Sequence, residues 1–363
     1  MIHGSRGTAV IFVEVPNRPW ITGGRSAVHR SSPAPSYDVP VGSTDGVDDA
    51  GVLALAGHAA ARTGLVTTAE ALKAIGADRP QRKRIVRAGR LVPVLRGIYA
   101  FDEAGEVARA HAAVRRGGPG AIVTGLSAAR WLGLRWVPPS ERIHILIPAQ
   151  RRRASSALVL VRRAHDHDTV ATWTRDGLQV ATADRGVVDG SRELTTLNDV
   201  RGLVLGAVAD DWCTTEQLRQ LLATGAVGGT AHCRRAVLDA ERGAASPPEA
   251  ELIDTLLRRR VPFVANPQLW LGGCLIGRPD VYLLGTGVGG ELDSKERHGD
   301  DELLDSTLQR HGRFADAALW LEHVTPARFR RDPESYVDML LARAAAHREP
   351  AGLRVVHRGP VLR

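Results

Sequence analysis

At 363 residues, with 44% hydrophobic and 24% charged side chains, the chain has the balance of a globular protein and the length of two or three domains. Its net charge of +8 and pI of about 10.1 point to an anionic partner, nucleic acid ahead of a membrane surface. No apolar run reaches the roughly eighteen residues a membrane span needs, and the widely spaced Cys213, Cys233 and Cys274 form no CxxC zinc pair. A soluble protein of a reducing, cytoplasmic compartment is the expectation.

Residues 1–48 carry Gly, Ser, Pro and scattered charge without a sustained period, as in VHRSSPAPSYDVPVGSTDGVDD. They read as a flexible extension or as the product of an upstream start codon. The apolar stretch AVIFVEV at 9–15 is too short for a signal and runs into PNRPW. Order begins with the Ala-rich helix VLALAGHAAARTG, ending at Gly64.

Next, Thr67 and Glu70 predict a capping box for a short helix that stops near Gly76, and Asp78 caps a second helix stopped by Gly89. LVPVL and GIYAF alternate like two short strands joined around Arg96-Gly97. Helix, turn, basic helix and hairpin predict a winged helix-turn-helix. Between 51 and 100, nine basic residues face two acids, Glu70 and Asp78, giving +7 in one seventh of the chain. Arg79, Arg82, Lys83, Arg84, Arg87, Arg90 and Arg96 are the candidates for meeting phosphates and base edges of double-stranded DNA. The alternative is a solvated basic helix without a partner.

From 104 to 230 the pattern becomes mixed α/β: a helix over TGLSAARWLGL, strands over RIHILIP and ALVLVRR, a helix through LNDVRGLVLGAVADD, and another opened by Thr214 and Gln217. Arg151, Arg152 and Arg153 fall between the two strands as a solvated loop tip, with a phosphate contact as the other reading. His165-Asp166-His167-Asp168 has metal-ligand residue types, but adjacent side chains point apart, which speaks against joint ligation.

AHCRRAVLDAERG completes a helix, and ASPPEAELIDTLLRRR opens the last one third of the chain with Ser246 as N-cap, Pro247 at N1 and Glu249 at N3. Strands follow over PQLWLGG, PDVYLL and GELDS, then a helix over DELLDSTLQRHGRFADA, a strand over LWLEHVTP and a closing helix around SYVDMLLARAAA. Gly285, Gly287 and Gly290 match the G-x-G-x-x-G dinucleotide fingerprint, but ELDSKERH after it has no apolar helical face. A hairpin turn suits GTGVGG better. Such a hairpin brings Asp280 near Glu291 and Asp293, two apart and on one strand face, and Glu249 on the preceding helix can supply a fourth carboxylate. Clustered carboxylates repel unless neutralised, so Mg2+ is the natural occupant, and it can activate water against a phosphodiester. Taken singly, Glu249 is a cap and Asp280 a turn former.

This order of helix-Glu, strand-Pro-Asp, turn and Glu-x-Asp resembles the PD-(D/E)xK nuclease superfamily, in the branch similar to very-short-patch-repair endonucleases. Those relatives carry S-x-x-E on the helix and D…E-x-D-[GS]-x-x-x-H on the strands. Ser246 to Glu249, Asp280, Glu291, Asp293, Ser294 and His298 match, as do Arg310 and the VTP-x-x-F-x-x-D-P stretch at 324–333. The superfamily's usual lysine position holds Asp293, a departure common in this branch; Lys295 stands two residues on. The resemblance implies a metal site of Glu249, Asp280, Glu291 and Asp293, and His298 as proton carrier; a surface turn histidine is its plain alternative. LVTTAEAL through RLVPVLRGIYAF is similar to the winged helix of AbiEi-type antitoxins from type IV toxin–antitoxin systems, and GLSAARWLGL, IHILIP and TADRGVVD are similar to the segment that follows it in actinobacterial proteins of this build.

The expectation is therefore an α+β multidomain protein: an extension (1–48), a winged helix-turn-helix (49–103), an antitoxin-like mixed α/β domain (104–230), a restriction-endonuclease-like domain (231–347) and a tail (348–363). It would be a Mg2+-dependent DNA endonuclease or a non-catalytic antitoxin-like regulator with a cognate toxin; an RNA-directed nuclease is a third reading, disfavoured by an aromatic content of 4%.

Overall fold

The computed structural model describes residues 48–363 apart from 64, 102–103, 226, 294–308, 310 and 358. Residues 1–47 lie outside that set, as do Ser294, Lys295, His298 and Arg310. Helix α1 (Asp49–Thr63) leads into strand β1 (Val66–Thr68), helices α2 (Ala69–Ala74) and α3 (Arg79–Arg87), and the hairpin β2 (Leu91–Leu95) and β3 (Ile98–Phe101). The three strands pair antiparallel in the order β1–β3–β2. Asp78 caps α3, its Oδ1 accepting from the Gln81 amide at 2.7 Å. The cap of α2 falls one residue later than the sequence pattern suggests. Thr67 is drawn into the sheet opposite Tyr99 and buried, so Thr68 takes the N-cap and accepts from the Ala71 amide at 3.1 Å. Leu72, Ile85 and Leu91 join Val52 in a small core, and with Ile85 fixing the inner face of α3, Arg79, Lys83, Arg84 and Arg87 are left exposed.

The central segment is built on a mixed sheet of order β6–β5–β4–β8–β7, comprising β4 (Ile122–Val123), β5 (Ile143–Pro148), β6 (Val159–Ala164), β7 (Thr172–Arg175) and β8 (Leu178–Ala181). Strand β5 is buried along nearly its whole length, because α4 (Glu106–Gly117) and α5 (Gly125–Leu132) pack on it through Ala110, Ala113 and Ala128. Helix α6 (Ala183–Ser191) approaches α5 closely at Gly190, where a Cβ would lie 3.0 Å from Leu126. Three further helices, α7 (Leu197–Ala209), α8 (Thr215–Thr224) and α9 (Ala231–Glu241), close a helical core around Leu203, Leu218 and Val237. The capping box expected at the head of α8 is complete: Thr214 and Gln217 satisfy each other's backbone amides.

Helix α10 (Pro247–Arg259) opens the C-terminal segment with Ser246 as its cap. Strands β9 (Phe263–Ala265), β10 (Gln268–Leu271), β11 (Cys274–Gly277), β12 (Val281–Leu283) and β13 (Val288–Leu292) follow, and then β14 (Trp320–Val324), α11 (Pro326–Arg331), α12 (Pro333–Ala346) and β15 (Arg354–Val356). One sheet runs β14–β13–β12–β9, antiparallel except for the parallel β13–β14 pair; the other runs β11–β10–β15. Residues 348–363, expected as a tail, supply β15 to the second sheet and a bridge from Leu362 to Phe263. The architecture is α+β throughout, and no helix among the described residues is long and apolar enough to cross a membrane.

A buried ion cluster ties the last two segments. Arg201 of α7 donates to Asp239 of α9 at 2.8 Å and to Asp254 of α10 at 2.7 Å. Arg235 and, at longer range, Arg242 pair with both carboxylates, so each acid is shared among three guanidinium groups.

Candidate functional site

Two concave regions gather the charged residues. The first, a groove of about 840 Å³, runs between α3, the β2–β3 hairpin and the central segment. Arg79, Arg82, Lys83, Arg87 and Arg96 line it, and among the described residues no Asp or Glu does. The helical period explains the sorting, since residues three and four apart share a face. Arg84 stands off that face and pairs with Asp49 of α1 at 3.2 Å, and Arg90 is exposed outside the groove. Arg82 is the most constrained of the set, donating to the Ala77 carbonyl at 2.6 Å. Two lining residues, Arg116 at the end of α4 and Ser156 before β6, were not foreseen. The Arg115-Arg116 pair was their only sequence signal.

In the second region, the turn between β12 and β13 takes only the first half of GTGVGG, with Gly285 and Gly287 at φ of 76° and 77°, and its last three residues belong to β13. The turn is filled from within the chain. Glu349 accepts from the Gly285 amide at 3.0 Å and from Tyr282 Oη at 2.8 Å, and a Cβ on Gly287 would come 2.8 Å from the Arg348 carbonyl. A carboxylate thus occupies the anion position a phosphate would need, and β13 rather than a helix follows. The dinucleotide fingerprint is a hairpin. Burial together with Glu349 pushes the Tyr282 phenol well above its ordinary value.

The hairpin brings Asp280 across from Glu291, one step beyond the Val281–Gly290 pair. Asp280 Oδ2 accepts from the Leu292 amide at 2.7 Å. Glu249, Asp280 and Glu291 all line one cavity of about 760 Å³. Its opposite wall comes from the central segment, through Arg135, Trp136, Pro138 and Asn198, and Arg330 stands at its rim on α11. Asp293 is not among the lining residues. It follows the last residue of β13, and its Oδ2 meets His323 Nδ1 of the parallel neighbour β14 at 2.7 Å. Glu249 is nearly buried and extensively hydrogen-bonded: it accepts from the Ala245 amide at 2.9 Å, from Ser246 Oγ at 2.7 Å and from Asn266 Nδ2 at 2.6 Å. Glu291, 3% exposed, has its amide bonded to Tyr336 Oη at 3.2 Å, and the same hydroxyl donates to the Glu322 carbonyl at 2.9 Å. Burial raises the Tyr336 phenol far above its usual range, so it serves as a neutral hydrogen-bonding post.

Hard carboxylate oxygens on one cavity wall suit a divalent cation in donor type. As the side chains stand, no group of three or more His, Cys, Asp or Glu among the described residues converges at metal-binding spacing. In the 165–168 run, His167 Nδ1 meets Asp168 Oδ1 at 3.3 Å while Asp166 turns away to pair with Arg185 at 3.0 Å, so no three of these side chains come together. Asn266, His323 and Tyr336 position the predicted carboxylates and had no local sequence signal. His298 lies outside the described residues. The VTP-x-x-F-x-x-D-P stretch has a structural job: Thr325 caps α11, Asp332 caps α12, and buried Phe329 packs edge-on against Tyr336.

No protein-family model and no curated protein matches this chain. Among solved structures it is similar to the RV2827C protein from Mycobacterium tuberculosis, with 21% identity and a TM-score of 0.39, covering 55% of this chain and 80% of that one.

Proposed function

We propose that this protein binds double-stranded DNA through its N-terminal segment, read as a winged helix-turn-helix with α3 as the recognition helix and the β2–β3 hairpin as the wing. The groove carries the reading: five cations from α3 and the hairpin converge there, and no carboxylate among the described residues offsets them. Fluorescence anisotropy with a short duplex over a sodium chloride series tests it. Binding should weaken steeply with salt, and an Arg82→Gln/Arg87→Gln variant should lose most of it. Affinity independent of salt and of those two residues would refute the reading.

The C-terminal segment is proposed as an endonuclease-like domain acting on the same DNA. Glu249, Asp280 and Glu291 on one cavity wall support this, with Asp293 held just beyond them by His323. Asp280 and Glu291 would be the principal holders of Mg2+, which when bound would polarise a phosphodiester and activate water. The protein's own part is to orient these carboxylates, Asp280 through the Leu292 amide and Glu249 through Asn266. Supercoiled plasmid nicked only with magnesium, and not by Asp280→Ala, is the expected result.

A second reading, a non-catalytic antitoxin-like regulator partnered by a cognate toxin, is favoured by one observation. Both oxygens of Glu249 already accept internal hydrogen bonds, as a structural cap requires. Duplex binding without nicking by either protein would select it.

A further inference from the structure

We infer that the central segment is the second wall of the DNA interface, with Arg116 and Ser156 gripping the phosphate backbone of the duplex that α3 reads. The inference rests on the DNA-binding reading above and adds a contact from outside the winged helix. Arg116 and Ser156 line the same groove as Arg79, Arg82, Lys83, Arg87 and Arg96, facing them from α4 and from the strand-entry loop.

Their hydrogen bonding marks them out. The Nε of Arg116 and the Oγ of Ser156 are buried donors with no hydrogen-bond partner among the described residues. Native proteins satisfy nearly all such groups; these two belong to half-buried side chains that line the cationic groove, so turning them onto an incoming acceptor breaks no hydrogen bond of theirs. The guanidinium of Arg116 is only loosely spent inside the fold, its Nη2 reaching the Ala154 carbonyl at 3.4 Å. Its backbone, by contrast, is fixed: Arg153 Nε donates to the Arg116 carbonyl at 3.3 Å, and the Ser156 amide donates to the Val159 carbonyl at 2.8 Å. A rigid backbone bearing an underused guanidinium and a hydroxyl matches a phosphate diester, which offers several acceptor oxygens and one charge. The wall itself carries no other charge, since Ala157 and Leu158 complete it. Six cations along one open groove exceed what a single small anion neutralises, so a polyanion backbone is the occupant. The neighbouring Arg151, Arg152 and Arg153 stay outside the groove lining and are not needed.

The test is duplex binding across a salt series for wild type, Arg116→Gln, Arg116→Lys, Ser156→Ala and Arg82→Gln in the full chain, with circular dichroism to verify folding. Arg116→Gln should weaken binding on the order of tenfold and flatten the log–log salt slope by about one, as the loss of one phosphate contact does. Arg116→Lys should keep the wild-type slope, because the charge remains, and Ser156→Ala should weaken binding without changing the slope. If Arg82→Gln loses affinity while Arg116→Gln and Ser156→Ala match wild type, the second wall is refuted and the DNA reading survives. If wild type shows no salt-dependent duplex binding, the DNA reading falls and takes this inference with it.

Discussion

Acidification should destabilise this protein through one ring, that of His144. The ring is buried at the end of α5, where a Cβ on Gly125 would come 2.5 Å from Nδ1. Nδ1 accepts from the Leu126 amide at 3.3 Å, and Nε2 donates to Ser140 Oγ at 3.3 Å, an arrangement that fits only the neutral ring. A second proton would point one N–H at another. Burial, reinforced by Arg162, Arg142 and Arg130, depresses the pKa from 6.5 to about 4. Between those values the unfolded chain binds the extra proton and the folded chain does not, so stability is complete above about pH 6.5 and is lost as the pH falls toward 4. The loss is roughly 2 kcal/mol near pH 5 and about 3 kcal/mol at the lower limit. Other groups titrate in the same window; burial also lowers the pKa of His111. The informative quantity is therefore the difference between wild type and His144→Gln, whose side chain can still accept from Leu126. Urea unfolding followed by tryptophan fluorescence at a series of pH values should show the wild type losing about 3 kcal/mol more than the variant. Parallel stability curves for the two proteins would refute the reasoning.

Removing the guanidinium at the centre of the buried ion cluster, by Arg201→Met, leaves Asp239 and Asp254 less compensated and should cost about 3–5 kcal/mol in denaturant titration. Glu249→Ala strips the acceptor from the Ala245 amide, Ser246 and Asn266, and should lower stability by about 1–3 kcal/mol with or without magnesium, read by calorimetry. Thr214→Ala opens one half of the α8 capping box and should cost about 1 kcal/mol, with faster amide exchange confined to the first turn of that helix.

What could be read from the chain was local. Asp78, Thr214 with Gln217, and Ser246 with Pro247 announced their helices because a cap depends on three or four consecutive residues. The slip from Thr67 to Thr68 shows where that locality ends: the sheet claimed Thr67 through Tyr99, more than thirty residues on. Strands β9, β11 and β15 are three or four residues long and carry too few alternations to stand out from coil. At the carboxylate cavity, strand parity correctly put Asp280 beside Glu291, since a hairpin is a local object. Parity could not foresee that β13 ends at Leu292 or that a parallel neighbour would bring His323 to Asp293. Nor could it foresee Asn266 turning back onto Glu249. The cationic groove was legible in its helix and hairpin and illegible in Arg116 and Ser156, which reach it through tertiary packing alone.

The Arg201 cluster bears on how wide the carboxylate cavity can become. One wall of that cavity belongs to the segment containing Trp136 and α7, the other to the segment containing α10 and β13, and the cluster clamps α7 to α10. Opening the cavity by rotating one segment against the other would pull Arg201, itself buried, away from Asp254. The width of the cavity is accordingly tied to the α7–α10 clamp, so a change at Arg201, remote from the carboxylates, is a way to alter it.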